Sequence, residues 1–155
     1  MPAKVSDDYD QLFDAWGAAL NVDPQLGKTV FWLESTHNPN IKDGEAGEVG
    51  GMQMKPATAA LMAKKLGFDP HSVNLHDMGW AVPLAMQYLA DGLNATGTGE
   101  GALGYYNSGS ADPHKWKQSY IDEGVKSYPN MALHLPPAAQ PGPSAQTTSA
   151  AAGVP

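Results

Sequence analysis

The sequence contains no cysteine and no arginine. Without cysteine there is neither a disulfide framework nor a thiolate metal site. Its cations are nine lysines set against sixteen acidic residues, a formal charge of −7. It therefore lacks the guanidinium-rich basic patch with which proteins grip phosphate and read guanine, and nucleic-acid binding is not expected. The same charge opposes adsorption to anionic membranes. No run of about 20 apolar residues occurs, so no membrane span is expected. The opening MPAKVSDDYD is polar and acidic and lacks the charged-then-apolar pattern of a secretory signal. Five histidines are present (His37, His71, His76, His114 and His134), but no pair has a strong metal-ligand spacing. Neither a metal nor an organic cofactor is expected.

Alternating apolar and polar runs are also scarce, and helical periodicity dominates. The expected fold is all-α, or α with a minimal β element. A chain of 155 residues with 42% hydrophobic content suits one domain with an ordinary core. A first helix is predicted from about Asp7 to Leu20, with Ser6 as N-cap and Asp7 and Asp8 in its first turn. Its apolar stripe is Tyr9, Leu12, Phe13, Trp16 and Leu20. Asp23-Pro24 opens a second helix running to about Thr36, which Asn38-Pro39 stops. Four glycines make 40–51 a loop. Pro56 opens a third helix and Gly67 closes it. A fourth is predicted over Leu84–Leu93 with Pro83 near its start, then a short helical piece over Gly101–Asn107. Asp112-Pro113 begins a last helix carrying Trp116, Tyr120 and Ile121.

From Ser127 onward there is no Lys, Asp or Glu, and Pro, Ala, Ser, Gln, Thr and Gly prevail. Such a composition buries too little apolar surface to offset chain ordering. The expected organisation is one folded domain over 1–130 and a flexible Pro/Ala/Ser-rich tail or linker over 131–155.

One residue of the second helix stands out. Leu26, Val30 and Leu33 form its inward stripe, and Glu34 lies four residues after Val30 and eight after Leu26. A carboxyl there is partly desolvated, which raises its pKa and suits a general acid near neutral pH. Spacing alone also permits a solvated glutamate at a helix end.

The chain also contains FWLESTHNPN, then GEVGGMQMKPATAA, then ALGYYNSGS. In this order and spacing they resemble the transglycosylase domain of the soluble lytic transglycosylases, within the goose-type lysozyme superfamily. The resemblance spans roughly Leu12 to Tyr128. Glu34-Ser35 matches the family's catalytic glutamate and following serine. Gly47, Gly50, Met52, Gln53, Pro56 and Thr58 match its glycine, Met-Gln and Pro-x-Thr pattern. Tyr88-Leu89 and Tyr106-Asn107 with Gly109 match two further elements.

The resemblance implies a lysozyme-like helical domain with a substrate cleft. It implies cleavage of the β-1,4 bond between N-acetylmuramic acid and N-acetylglucosamine in bacterial peptidoglycan, leaving 1,6-anhydromuramic ends. Glu34 would be the catalytic acid/base, and Ser35, Met52, Gln53, Lys55, Tyr106 and Asn107 the substrate-binding set. On residue chemistry alone, Gln53 suits either sugar contact or a helix cap, and Met52 suits packing. Tyr106 is free to bond Glu34, a sugar or the core. Asn107 suits a helix C-cap as well as a ligand, and Tyr105 and Trp80 suit either a sugar groove or the core.

Departures from the family pattern are Lys55, where an apolar residue is usual, Gly51 in place of a frequent leucine, and Ala85 in place of glycine. Lys55 in the cleft would lower the pKa of Glu34 or meet a peptide carboxylate. Asp43 is a possible second carboxylate. A hydrolase on this scaffold would hold its water with Asp43, Glu45 or Glu48. Two non-enzymatic readings also fit the pattern: a wall-binding or virion structural module that has lost catalysis, and a generic helical interaction domain. The expected partner is the glycan strand, with virion or secretion-machinery proteins as further partners through the tail. Action in the periplasm or cell wall, after delivery as a phage lysin or virion component, is the expected setting.

Overall fold

A computed structural model describes residues 7–127. Six α-helices follow one another: α1 (Asp7–Leu20), α2 (Pro24–Ser35), α3 (Pro56–Leu66), α4 (Met78–Thr96), α5 (Gly99–Ser108) and α6 (Gln118–Ser127). Two single 3-10 turns, Pro70–Ser72 and Pro113–Lys115, lie in the connections. The sole β feature among the described residues is an isolated antiparallel bridge, Val49 to Met54, so the fold is all-α with a minimal β element. The expected cap Ser6 and the segment 131–155 lie outside the described residues, as do the side chains of Asp7 and Asp8.

Helix ends follow local chemistry. Asp23 accepts from the backbone N–H of Gln25 and Pro24 occupies the first turn, so α2 starts where its cap dictates. It stops at Thr36, which turns left-handed and donates its N–H to Trp32 O. The stop thus precedes Asn38-Pro39. Pro56 begins α3 and Gly67, left-handed, ends it.

Helix α4 differs most from the sequence expectation. It begins six residues before Leu84, because Asp77 caps it through the N–H of Gly79. Pro83 therefore lies inside the helix, where it removes one backbone donor. Burial on most sides compensates: Met78, Val82, Leu84, Met86, Leu89 and Leu93 are all in the core. Helix α4 is the hub, packing on α1, α2, α3 and α5.

The expected last helix is broken in two. Trp116 is extended, and its ring covers Gly104 while its Nε1–H donates to Ser110 O at 2.7 Å. Only after this anchor does α6 begin. Gly124 then lets α6 close against Leu33 of α2 and Leu103 of α5, a Cβ there falling 3.1 Å and 2.8 Å from those side chains. This seating brings the first turn of α6 to the C-terminal end of α2. Among the described residues no helix is long and apolar enough to cross a membrane.

Candidate active site

Glu34 occupies the last turn of α2, half-buried beside the core residues Val30 and Phe31. Burial pushes its pKa from an ordinary 4.5 up to about 7. A hydrogen bond from Tyr120 works the other way, the negative charge of Glu48 adds to the rise, and Lys117 opposes it. Its place at the negative end of the helix dipole also disfavours the carboxylate.

Tyr120, in the first turn of α6, donates its hydroxyl to Glu34 Oε2 at 2.6 Å. Burial and the facing carboxylate hold the phenol well above its usual pKa of 10, so it stays a donor. When Glu34 is protonated, Oε2 accepts from Tyr120 and the proton is carried on Oε1. Helix packing thus fixes which oxygen offers a proton. Tyr120→Phe removes a contact that lowers the Glu34 pKa. The pH at which Glu34 loses its proton is expected to rise above 7, with turnover at pH 6 falling about tenfold as the proton loses its fixed position. An alkaline limb of the kcat/KM profile that stays put or moves down would refute this role.

A cleft of about 480 Å³ opens beside Glu34, of a size usual for small-ligand sites. Glu48, Gln53, Lys55, Tyr106 and Asn107 line it with Glu34. The loop from Gly44 to Met54 supplies two of its polar groups, Glu48 and Gln53. Its hairpin is closed by the paired N–H and C=O groups of Val49 and Met54. Gly50, at φ +77°, lies against the Leu75 carbonyl, and Gln53 adopts φ +47°. The Gln53 backbone N–H and side-chain Nε2 both donate to Gly50 O, at 2.9 Å and 2.8 Å. The amide orientation follows from this, since a carbonyl can only accept. Its Oε1 therefore remains an acceptor, beside Gly44.

Tyr106 donates to the backbone carbonyl of Met52 at 2.7 Å and is buried. It joins α5 to the hairpin rather than bonding Glu34, though the charge of Glu34 does raise its pKa, after burial itself. Tyr106→Phe leaves that carbonyl without its donor inside the protein. A loss of about 1–3 kcal/mol is expected in urea unfolding, and an unchanged midpoint would disprove the tie.

Two of the expected substrate contacts are placed in the interior. Ser35 is buried and donates to Phe31 O at 3.0 Å, as a serine in a helix does with the carbonyl one turn back. The Met52 side chain is fully buried in the core. Asn107 reaches the cleft because the left-handed cap of α5 is Gly109 instead. Lys55 is exposed at the cleft, whereas the cation acting on Glu34 is Lys117. Asp43 is exposed and paired with His76 Nε2 at 3.0 Å, away from the cleft lining. The second carboxylate of the cleft is Glu48. Tyr105 packs on Tyr88, and Trp80 meets Phe68 edge-on, so neither lines the cleft.

Tyr88, Thr58 and Ser108 line the cleft as well. Tyr88 was legible only as part of a Tyr-Leu pair on a helix, and Tyr120 only as a residue of the last helix. Nothing local signals that Tyr120 meets a carboxyl 86 positions earlier. Among the described residues no cluster of three or more His, Cys, Asp or Glu is placed to hold a metal ion.

The family model described as the transglycosylase SLT domain matches residues 11–128. The chain belongs to the SLT transglycosylase family. The match takes in α1 through α6 almost whole, so Glu34, the hairpin and Tyr120 all lie inside the SLT domain. At the family level this is lytic transglycosylase-type chemistry on peptidoglycan.

Proposed function

We propose that this SLT domain is an active lytic transglycosylase with Glu34 as its single proton donor and acceptor in the anhydro reaction. The observation that carries the reading is a carboxyl with a pKa of about 7, in a cleft, oriented by Tyr120. Near neutral pH such a group exists in both protonation states, as a residue that acts first as acid and then as base requires.

In this reaction Glu34 gives its Oε1 proton to the glycosidic oxygen as the bond from muramic C1 breaks. The carboxylate so formed takes the proton of the muramic C6 hydroxyl, whose oxygen closes on C1. No water is consumed, and Glu34 ends protonated as it began. Gln53 Oε1 and the Asn107 amide supply acceptors and donors for hydroxyl and N-acetyl groups, and Tyr88 an aromatic surface for a ring. Lys55 is available to the peptide carboxylates of the stem. We assign residues 1–130 as the catalytic domain and 131–155, on composition alone, as a tail or linker.

Digestion of purified sacculi, followed by mass spectrometry of the released muropeptides, tests this reading. New anhydromuramic ends are expected from the native chain and none from Glu34→Gln. Absence of those ends from the native digest would overturn it.

A further inference from the structure

We propose that a second groove, on the far side of the hairpin from Glu34, binds the peptide stem of the glycan strand held in the cleft. The inference rests on the lytic reading above, which puts muramic acid, and so the attachment point of the stem, in that cleft.

The groove has a volume of about 260 Å³. It is separated from the cleft by one layer of chain, the hairpin and the first turn of α3. Consecutive residues of that layer divide between the two cavities. Glu48, Lys55 and Thr58 line the cleft, while Val49, Pro56 and Ala59, each the next residue, line the groove. Neighbouring Cα atoms are about 3.8 Å apart, so the two cavities nearly meet. Lys55 and Pro56 are both exposed, which leaves the crest between them open to a ligand passing from one to the other.

The two linings differ in chemistry. No phenylalanine, tyrosine or tryptophan lines the groove, so it lacks the aromatic face that Tyr88 gives the cleft. It offers small aliphatic surface instead, from Val49, Pro56, Ala59, Ala60, Val73 and Leu75. That surface suits methyl groups better than sugar hydroxyls. Asn74, also in the lining, accepts from the His76 N–H through Oδ1 at 3.1 Å. This leaves its Nδ2 donors for a peptide carbonyl or carboxylate. Charge agrees with an acidic peptide. Among the described residues no Asp or Glu lines the groove, and Lys55 stands on the crest. A short chain carrying alanine methyls and carboxylates, which is the chemistry of the stem, meets an aliphatic floor, an amide donor and one cation.

The test uses soluble glycan chains with stems and the same chains stripped of stems by an amidase. For the native protein KM is expected to be at least about tenfold lower on the stem-bearing chains, with kcat little changed. Ala60→Phe fills the groove and Val73→Asp gives it a repelling charge. Both are expected to raise KM on stem-bearing chains to the value for bare chains and to leave bare-chain cleavage unchanged. Free stem peptide added to the full-length Glu34→Gln protein is expected to shift the backbone amide NMR signals of Ala60, Val73 and Asn74. Equal native KM values on the two substrates would overturn the proposal alone, as would variants that impair both substrates equally. So would groove signals that ignore the peptide but move with protein concentration, which would assign the groove to a second copy of the chain. Absence of anhydro ends from both substrates would overturn the lytic reading and this proposal together.

Discussion

Glu34→Gln is expected to reduce release of anhydro ends by at least about a thousandfold while leaving the protein folded and, above neutral pH, more stable. A positioned general acid contributes about 10²–10⁴-fold, and in the proposed reaction one carboxyl serves both proton transfers. Glutamine keeps the shape and can still accept from Tyr120, so the loss reports proton chemistry and not a collapsed cleft. In the native chain the activity is expected to fall as pH rises through about 7, where Glu34 loses its proton.

Stability follows the same titration. The folded state holds the Glu34 proton more tightly than the unfolded chain, whose glutamate titrates near 4.5. The native protein therefore carries no penalty from this group below about 4.5. As pH rises towards 7 and beyond, it must either bury a charge or keep a proton that the unfolded chain has released. The resulting loss is roughly 2–3 kcal/mol, allowing for partial exposure of the group. Glu34→Gln removes that dependence, so its melting temperature should exceed the native value at pH 8 and converge with it at pH 4. A variant less stable than native at pH 8 would show that Glu34 is not held in a desolvated position.

The second large effect is expected at Gly50. Its φ of +77° is strained for any residue with a side chain, and a Cβ would lie 1.9 Å from the Leu75 carbonyl oxygen. That neighbour is backbone, so no rotamer change relieves the clash. Gly50→Ala must shift the hairpin that carries Glu48 and Gln53, and with it the Met52 carbonyl held by Tyr106. A loss of about 3–4 kcal/mol is expected, a large share of a typical domain's stability. Gly47→Ala is the control. At φ +91° with nothing within 4 Å of its Cβ, it bears the backbone strain alone, about 1–2 kcal/mol. Urea midpoints for the two variants separate the contributions. Equal losses would mean that the Leu75 contact is irrelevant.

Glu34 and the hairpin acids differ in how far the sequence reveals them. Glu34 was visible from its position beside the Leu26–Val30 stripe and from the motifs that follow it. Its partner was not. Glu48 could be named as one of three acids on a glycine-rich loop, but nothing in the loop's sequence separated it from Asp43. In the folded chain Asp43 turns out to His76 while Glu48 turns in over Gly44. The difference depends on how the hairpin seats against the segment around Leu75.

By itself the sequence determined the bounds of α1 and α3, the start of α2, the helical class and the family, and it singled out Glu34 as the acid of the proposed site. Caps, prolines and glycines act within one or two turns, so their effect is written locally. It misplaced the start of α4 because a helix buried on most sides shows little polar contrast, and Pro83 looked like its beginning. Only the tertiary structure decided that Ser35 and Met52 face inward, that Glu48 is the second carboxylate, and that Tyr120 holds Glu34. Each of these depends on contacts between segments far apart in the chain, and packing, with its burial and bond geometry, selects among residues that local pattern leaves equivalent.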